Sequence, residues 1–312
     1  LAMRIFALGL ALTLGLTGCS IQKLAINSLA GALAESSDVY ASDEDPDLVR
    51  DALPFALKTM ESLLAKVPDN PQLLLGACSG FTQYSYAFVD TEAFLVEDDD
   101  FREARRLKER ALKLYLRARG YCFEALRLKD PDLLAALRQD PVAGAERLGA
   151  EDADLLFWTA ASWGSAIALA LDQPEFVADV PVPRALLERL EVLAPEYGDG
   201  TLAEALLVLA TLPETLGGSQ EAARVYFARA LELSQGQSVS AHVTLAQGVM
   251  VPSQDRKEFT ALLHKALAID VDAPGARKNR LANVIAQRRA AELLRRVDEY
   301  FLEDLETAEE PP

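Results

Sequence analysis

From Pro46 onward the apolar residues fall at three- and four-residue steps. Phe101, Ala104, Leu107, Ala111, Leu114, Tyr115 and Ala118 trace one face, and Phe259, Leu262, Leu263, Ala266 and Leu267 trace another. That spacing stacks side chains along one side of an α-helix, whereas a half-buried strand would alternate at every second residue. Sustained alternation is missing and β-branched runs are few. Breakers arrive at short intervals: Pro68 and Pro71, Pro131, Pro195 and Gly198, Gly217-Gly218, Gly236, Pro252 and Pro274-Gly275. The pattern predicts an all-α protein, a train of helices with short connections and hence antiparallel helix pairs.

The pairs carry a repeating rhythm. Ala223, Phe227 and Ala230 show the small-large-small spacing of the second helix of a tetratricopeptide repeat, and Phe259, Leu263 and Ala266 show it again. Ala111, Tyr115 and Ala118 match once more, and Ala56, Met60, Leu63 and Pro68 more loosely. Small residues let neighbouring helices approach while the large one fills the groove between pairs. The expectation is an α-α superhelix of tetratricopeptide-type pairs over 46–305.

Two stretches break the usual amphipathic pattern. No charged residue occurs from Pro71 to Val89 or from Leu155 to Leu171. A helix apolar all round is buried on all sides. Both runs fall short of the roughly 20 residues a membrane span needs, and both contain polar groups. Small residues and hydroxyls beside aromatics suit either close helix packing or the wall of an internal cavity. Gln83, Tyr86, Trp158 and Trp163 are the candidate cavity residues, and ordinary core packing is the competing account of each.

The chain's first residues concern location. Arg4 precedes an uncharged run from Ile5 to Leu16, followed by Thr17-Gly18-Cys19. This looks like a bacterial lipobox: a signal peptide over 1–18, lipidation at Cys19, and a tether over 19–45. Two or three acyl chains would anchor the protein stably, and the lipid would be its sole membrane attachment. Residues 306–312 read as a disordered tail. Ser20, in place of an aspartate after Cys19, leans weakly toward the outer membrane.

Net charge is −17, from 48 acidic and 31 basic residues. Such a field repels phosphate backbones, which excludes nucleic acid as a partner. Cys78 and Cys122 are expected as buried free thiols, with a disulfide between them as the alternative in an oxidising compartment.

Catalytic motifs fail on context. Gly76-Ala77-Cys78-Ser79-Gly80 has nucleophile-elbow spacing, but its flanks are helical and no strand precedes it. His242 and His264 lie too far apart for a zinc signature, so no metal is expected. Gly217-Gly218 lacks the Lys-Ser/Thr of a phosphate loop and reads as a turn. Glu97-Asp98-Asp99-Asp100 precedes a helix starting near Phe101, where negative charge favours the helix dipole. No cofactor and no enzymatic activity are expected.

Several segments taken in order resemble the T component of tripartite ATP-independent periplasmic (TRAP) transporters, the TatT family. They are Asp45-Pro46-Asp47 through Pro54 with Lys58-Thr59-Met60-Glu61, and Leu212-Pro213-Glu214 with Leu216-Gly217-Gly218. Ala222-Ala223-Arg224, Ala230 to Ser234, Gln254-Asp255-Arg256 with Phe259, and Leu281-Ala282-Asn283 with Ala286 and Ala290-Ala291 continue the match. The resemblance implies a periplasmic lipoprotein that forms a homotrimer with apolar channels through its protomers. It implies as partner the periplasmic solute-binding protein of a TRAP transporter, and a role in capturing or handing over an apolar or amphipathic ligand. The alternative function is an envelope scaffold that binds proteins only.

Overall fold

The computed structural model describes residues 37–302. Cys19, the 1–18 segment, most of the 19–45 tether and the 306–312 tail lie outside them. Among the described residues every regular element is a helix, and none is long and apolar enough to cross a membrane.

Helices begin where a short polar side chain can accept from the first free N–H groups. After a single turn, α1 (Ser37–Ala41), Asp45 caps α2 (Pro46–Leu64) by accepting from the Asp47 and Leu48 amides. Asn70 caps α3 (Pro71–Ser85) through the Leu73 amide. In both, proline occupies the first helical position, where its missing N–H costs nothing. The backbone then widens into a π-helical turn, Tyr86–Asp90, with the Thr91 amide bonded to the Tyr86 carbonyl. The run therefore does not continue as one α-helix to Val89. It resumes as α4 (Thr91–Leu95), and Asp100 then caps α5 (Phe101–Lys129) through the Glu103 amide.

Short helices α6 (Leu133–Gln139) and α7 (Pro141–Glu146) lead to α8 (Ala153–Ala168), which is charge-free beyond Asp154 in its first turn. Beyond it come α9 (Pro174–Val177), α10 (Pro181–Leu193), α11 (Thr201–Ala210) and α12 (Gln220–Leu233). Helix α13 (Val239–Leu245) ends in a second π turn, Ala246–Met250. The chain finishes with α14 (Arg256–Ala268), α15 (Arg280–Arg295) and α16 (Val297–Tyr300).

Packing follows chain order. Helix α2 lies on α3, α3 on α5, and both α3 and α5 on α8; α8 meets α10, and α10 to α15 each meet the next. Short connections leave each helix little choice but its neighbour. One contact breaks this order and positions the candidate site: α15 packs on α1 and α4, so a late helix meets the first described ones.

Phe94 of α4 accordingly sits in the same hydrophobic cluster as Phe259, Leu263 and Ala290. Asp98 pairs with Arg296 at 2.7 Å and Arg295 at 3.1 Å, and Arg280 donates to the Asp43 carbonyl at 3.0 Å. The acidic run before α5 thus clasps the C-terminal helices as well as favouring the α5 dipole. Helix α1, within the stretch expected as a tether, is docked by the same junction.

One expectation needs correction. Cys78 and Cys122 are not free thiols; a disulfide joins them, with Cα atoms 5.5 Å apart. Ala77 and Ala118, both fully buried, leave α3 and α5 free to approach that closely. The Gly-Ala-Cys-Ser-Gly stretch lies wholly within α3. A Cβ added at Gly80 would fall 2.7 Å from Leu57 Cδ2, so this glycine serves close helix packing. Gly217, at φ 82°, forms the expected turn, and a Cβ on Gly218 would collide with the Leu212 carbonyl.

Candidate functional site

The junction of α15 with α1 and α4 brings together side chains from four separate elements. The first π turn supplies Tyr86 and Asp90, α4 supplies Phe94, α11 supplies Glu204 and α15 supplies Arg289. A π turn inserts a residue into the helical register and so re-aims the side chains of the next turn, a feature common at functional sites. Protein surrounds Tyr86 closely enough to push its phenol above the ordinary range, yet 39% of its surface stays open. Protein packs part of the ring and water reaches the rest, so Tyr86 belongs to the surface wall of this junction.

Arg289 lies across this wall, its guanidinium carbon 4.4 Å from the Phe94 ring centre and 5.8 Å from that of Tyr86. Both are cation–π distances. Beneath it the fully buried Tyr115 hydroxyl donates to Asp90 Oδ2 at 3.1 Å. Burial raises the Asp90 carboxyl, while Arg289, Tyr115 and Lys108 pull it down.

Glu204 is the sole charged residue of α11. Ser238 donates to its Oε1 at 2.5 Å while capping α13 through the Ala241 amide. Ser240 also hydrogen-bonds the carboxyl, and Glu204 makes no ion pair among the described residues. Burial pushes its pKa from 4.5 up to about 7, with the two serines acting in the opposite direction.

Glu204 therefore makes stability depend on pH. The folded pKa exceeds the unfolded one, so the native state holds the proton more tightly. Stability is full below about 4.5 and falls as pH rises toward about 7. Glu204→Gln is expected to match the parent near pH 4.5 and exceed it by about 2–3 kcal/mol at pH 8. Urea melts at both pH values measure this, and an equal offset at the two would exclude the titration.

The four cavity candidates named from sequence do not converge. Tyr86 lies on the wall just described. Gln83 is exposed, with its amide reaching the Ser79 carbonyl one turn back. Trp158 is half-buried and edge-on to Phe157 at 5.0 Å. Trp163 is fully buried, donating from Nε1 to Asp179 Oδ2 at 3.0 Å. Among the described residues no hydrogen bond or ring contact joins any two of these four.

Sequence reasoning missed Phe94, Glu204 and Arg289. Glu204 left a signal, a single acid in an otherwise apolar decapeptide. Arg289 left none, because Arg288 beside it reads identically.

His242 is buried, with Nδ1 2.9 Å from the Ser238 carbonyl and its ring edge-on to Phe227. Burial lowers its pKa. No group of three or more His, Cys, Asp or Glu that could hold a metal ion occurs among the described residues.

Comparisons with known proteins agree with the resemblance of the sequence. The chain is 28% identical over 321 aligned residues to an uncharacterised protein of Treponema pallidum (strain Nichols), covering 97% of this chain and 99% of that one. The family model of the TRAP transporter T-component matches residues 42–301. The chain belongs to the TRAP transporter T-component family.

Proposed function

We propose that this accessory component captures an apolar or amphipathic ligand within its helical interior and passes it to the solute-binding protein of a TRAP transporter. In this reading the helix pairs wind as a tetratricopeptide-type superhelix, with α3, α11, α13 and α15 on its inner side. Cys19 carries the lipid that holds the protein at the periplasmic face of the envelope, with the outer membrane favoured, and three copies associate. The family assignment supports the transport role. The observation that supports ligand capture is the meeting of the part-exposed Tyr86 and the half-buried Arg289 with Phe94 and Glu204 at the junction of α4, α11 and α15.

The test uses N-phenyl-1-naphthylamine, whose fluorescence rises in apolar surroundings. Saturable binding by the purified protein is expected, with Tyr86→Ala weakening it about tenfold, the loss of roughly 1.4 kcal/mol of aromatic contact. Sedimentation with the solute-binding protein of the same transporter should show a complex, and the protein alone should run at the mass of three chains. A complex without any dye binding would favour the scaffold that binds proteins only.

A further inference from the structure

Arg288 and Arg289 are neighbours on α15, Arg288 exposed and Arg289 half-buried beside aromatic rings. Nearly two turns further on, Arg295 and the capping Arg296 both hold Asp98. Arg289 forms no hydrogen bond and no ion pair among the described residues, although the chain carries 48 acidic groups against 31 basic ones. It is half-buried, with its guanidinium carbon at cation–π distance from both the Phe94 and Tyr86 rings. A guanidinium has five N–H donors in a planar fork that matches a carboxylate in bidentate fashion. Cation–π contact with Phe94 and Tyr86 uses none of those donors, which leaves them for a group from outside.

Resting on the reading of ligand capture, we propose that Arg289 receives the carboxylate of an amphipathic monocarboxylic acid, whose apolar body lies along the Phe94 and Tyr86 rings. The surroundings limit the charge such a head can carry. Asp90 and Glu204 both face the phenol of Tyr86 electrostatically, as Arg289 does. The two acids already outweigh the one base around this phenol, so the head is held by the hydrogen-bond donors of Arg289, and each further negative charge on it is disfavoured. Dicarboxylates and phosphate monoesters are therefore poorer ligands than a singly charged acid.

Three probes of equal chain length separate the contributions: decanoate, decanol and decylamine, each displacing N-phenyl-1-naphthylamine at pH 8. Decanoate is expected to bind the parent protein most tightly. Arg289→Gln should weaken decanoate about tenfold or more, the range for hydrogen bonds to a charged group, and leave decanol unchanged. Glu204→Gln should strengthen decanoate about threefold by removing a like charge, again with decanol unchanged. Equal loss of decanoate and decanol in Arg289→Gln would overturn the proposal and make Arg289 a packing residue. Tightest binding of decylamine would overturn it too, by assigning the head group to the carboxylates. If the parent binds neither the dye nor any of the three probes, the ligand-capture reading itself fails, which is a separate outcome.

Discussion

Trp163→Ala is expected to destabilise the protein by about 3–5 kcal/mol, the range for removing a buried tryptophan. The indole is fully buried in the hydrophobic cluster that also holds Leu126, Leu133 and Leu186. Phe123 meets it edge-on with ring centres 4.7 Å apart. Arg119 and Arg138 lie 5.5 and 5.7 Å from its centre and lose a cation–π partner with it. Truncation also leaves the Asp179 carboxylate without its indole donor. Trp163→Phe keeps the ring and removes the N–H, so it should cost less, about 1–2 kcal/mol. Urea melts at unchanged slope measure both.

The same experiment decides what the charge-free stretch of α8 is for. A tryptophan on the wall of a void would lose few contacts on truncation, and the alanine variant would then melt within about 1 kcal/mol of the parent. Ser162 gives an independent check. It is fully buried, bonds the Thr159 carbonyl, and lies 3.8 Å from Cys78 Sγ. Ser162→Leu should overpack this seam and cost about 1–3 kcal/mol.

Reduction of the Cys78–Cys122 disulfide is the second large effect. The two cysteines are 44 residues apart in sequence. Freeing a loop of that length from the unfolded chain corresponds to about 4 kcal/mol in the chain-entropy account, with measured values more often near 2–4. The bond ties α3 to α5 where both lie against α8, so its loss loosens the N-terminal third before the rest. Urea melts of the oxidised protein and of protein held reduced should differ in unfolding free energy by that amount, seen as a lower midpoint for the reduced form. Coincident midpoints, with two more titratable thiols after reduction than before, would remove the disulfide from the account of stability.

How far the sequence reaches can be traced along single residues. Asp45-Pro46, Asn70-Pro71 and Asp100-Phe101 announce helix starts, because capping depends on one side chain and the amides two or three residues ahead. Ala111, Tyr115 and Ala118 announce a core face, and all three are fully buried. The disulfide is harder to read, since Cys78 and Cys122 meet only after α3 and α5 have chosen their facing sides. The end of α3 is hidden for a related reason. A charge-free run to Val89 looks continuous in composition, but the backbone changes register at Tyr86.

The sequence by itself determined the helical class, the helix starts and turns, the faces that are buried, and the family. All of these depend on periodicity, capping and breakers within a few residues of one another, or on their order along the chain. The tertiary structure alone decided that α15 returns to α1 and α4, and therefore that Arg289 lies over Phe94 and near Tyr86, with Glu204 close to the same phenol. That contact joins residues almost two hundred positions apart. It depends on the summed geometry of every intervening helix pair, a quantity that no local pattern of apolar and polar residues encodes.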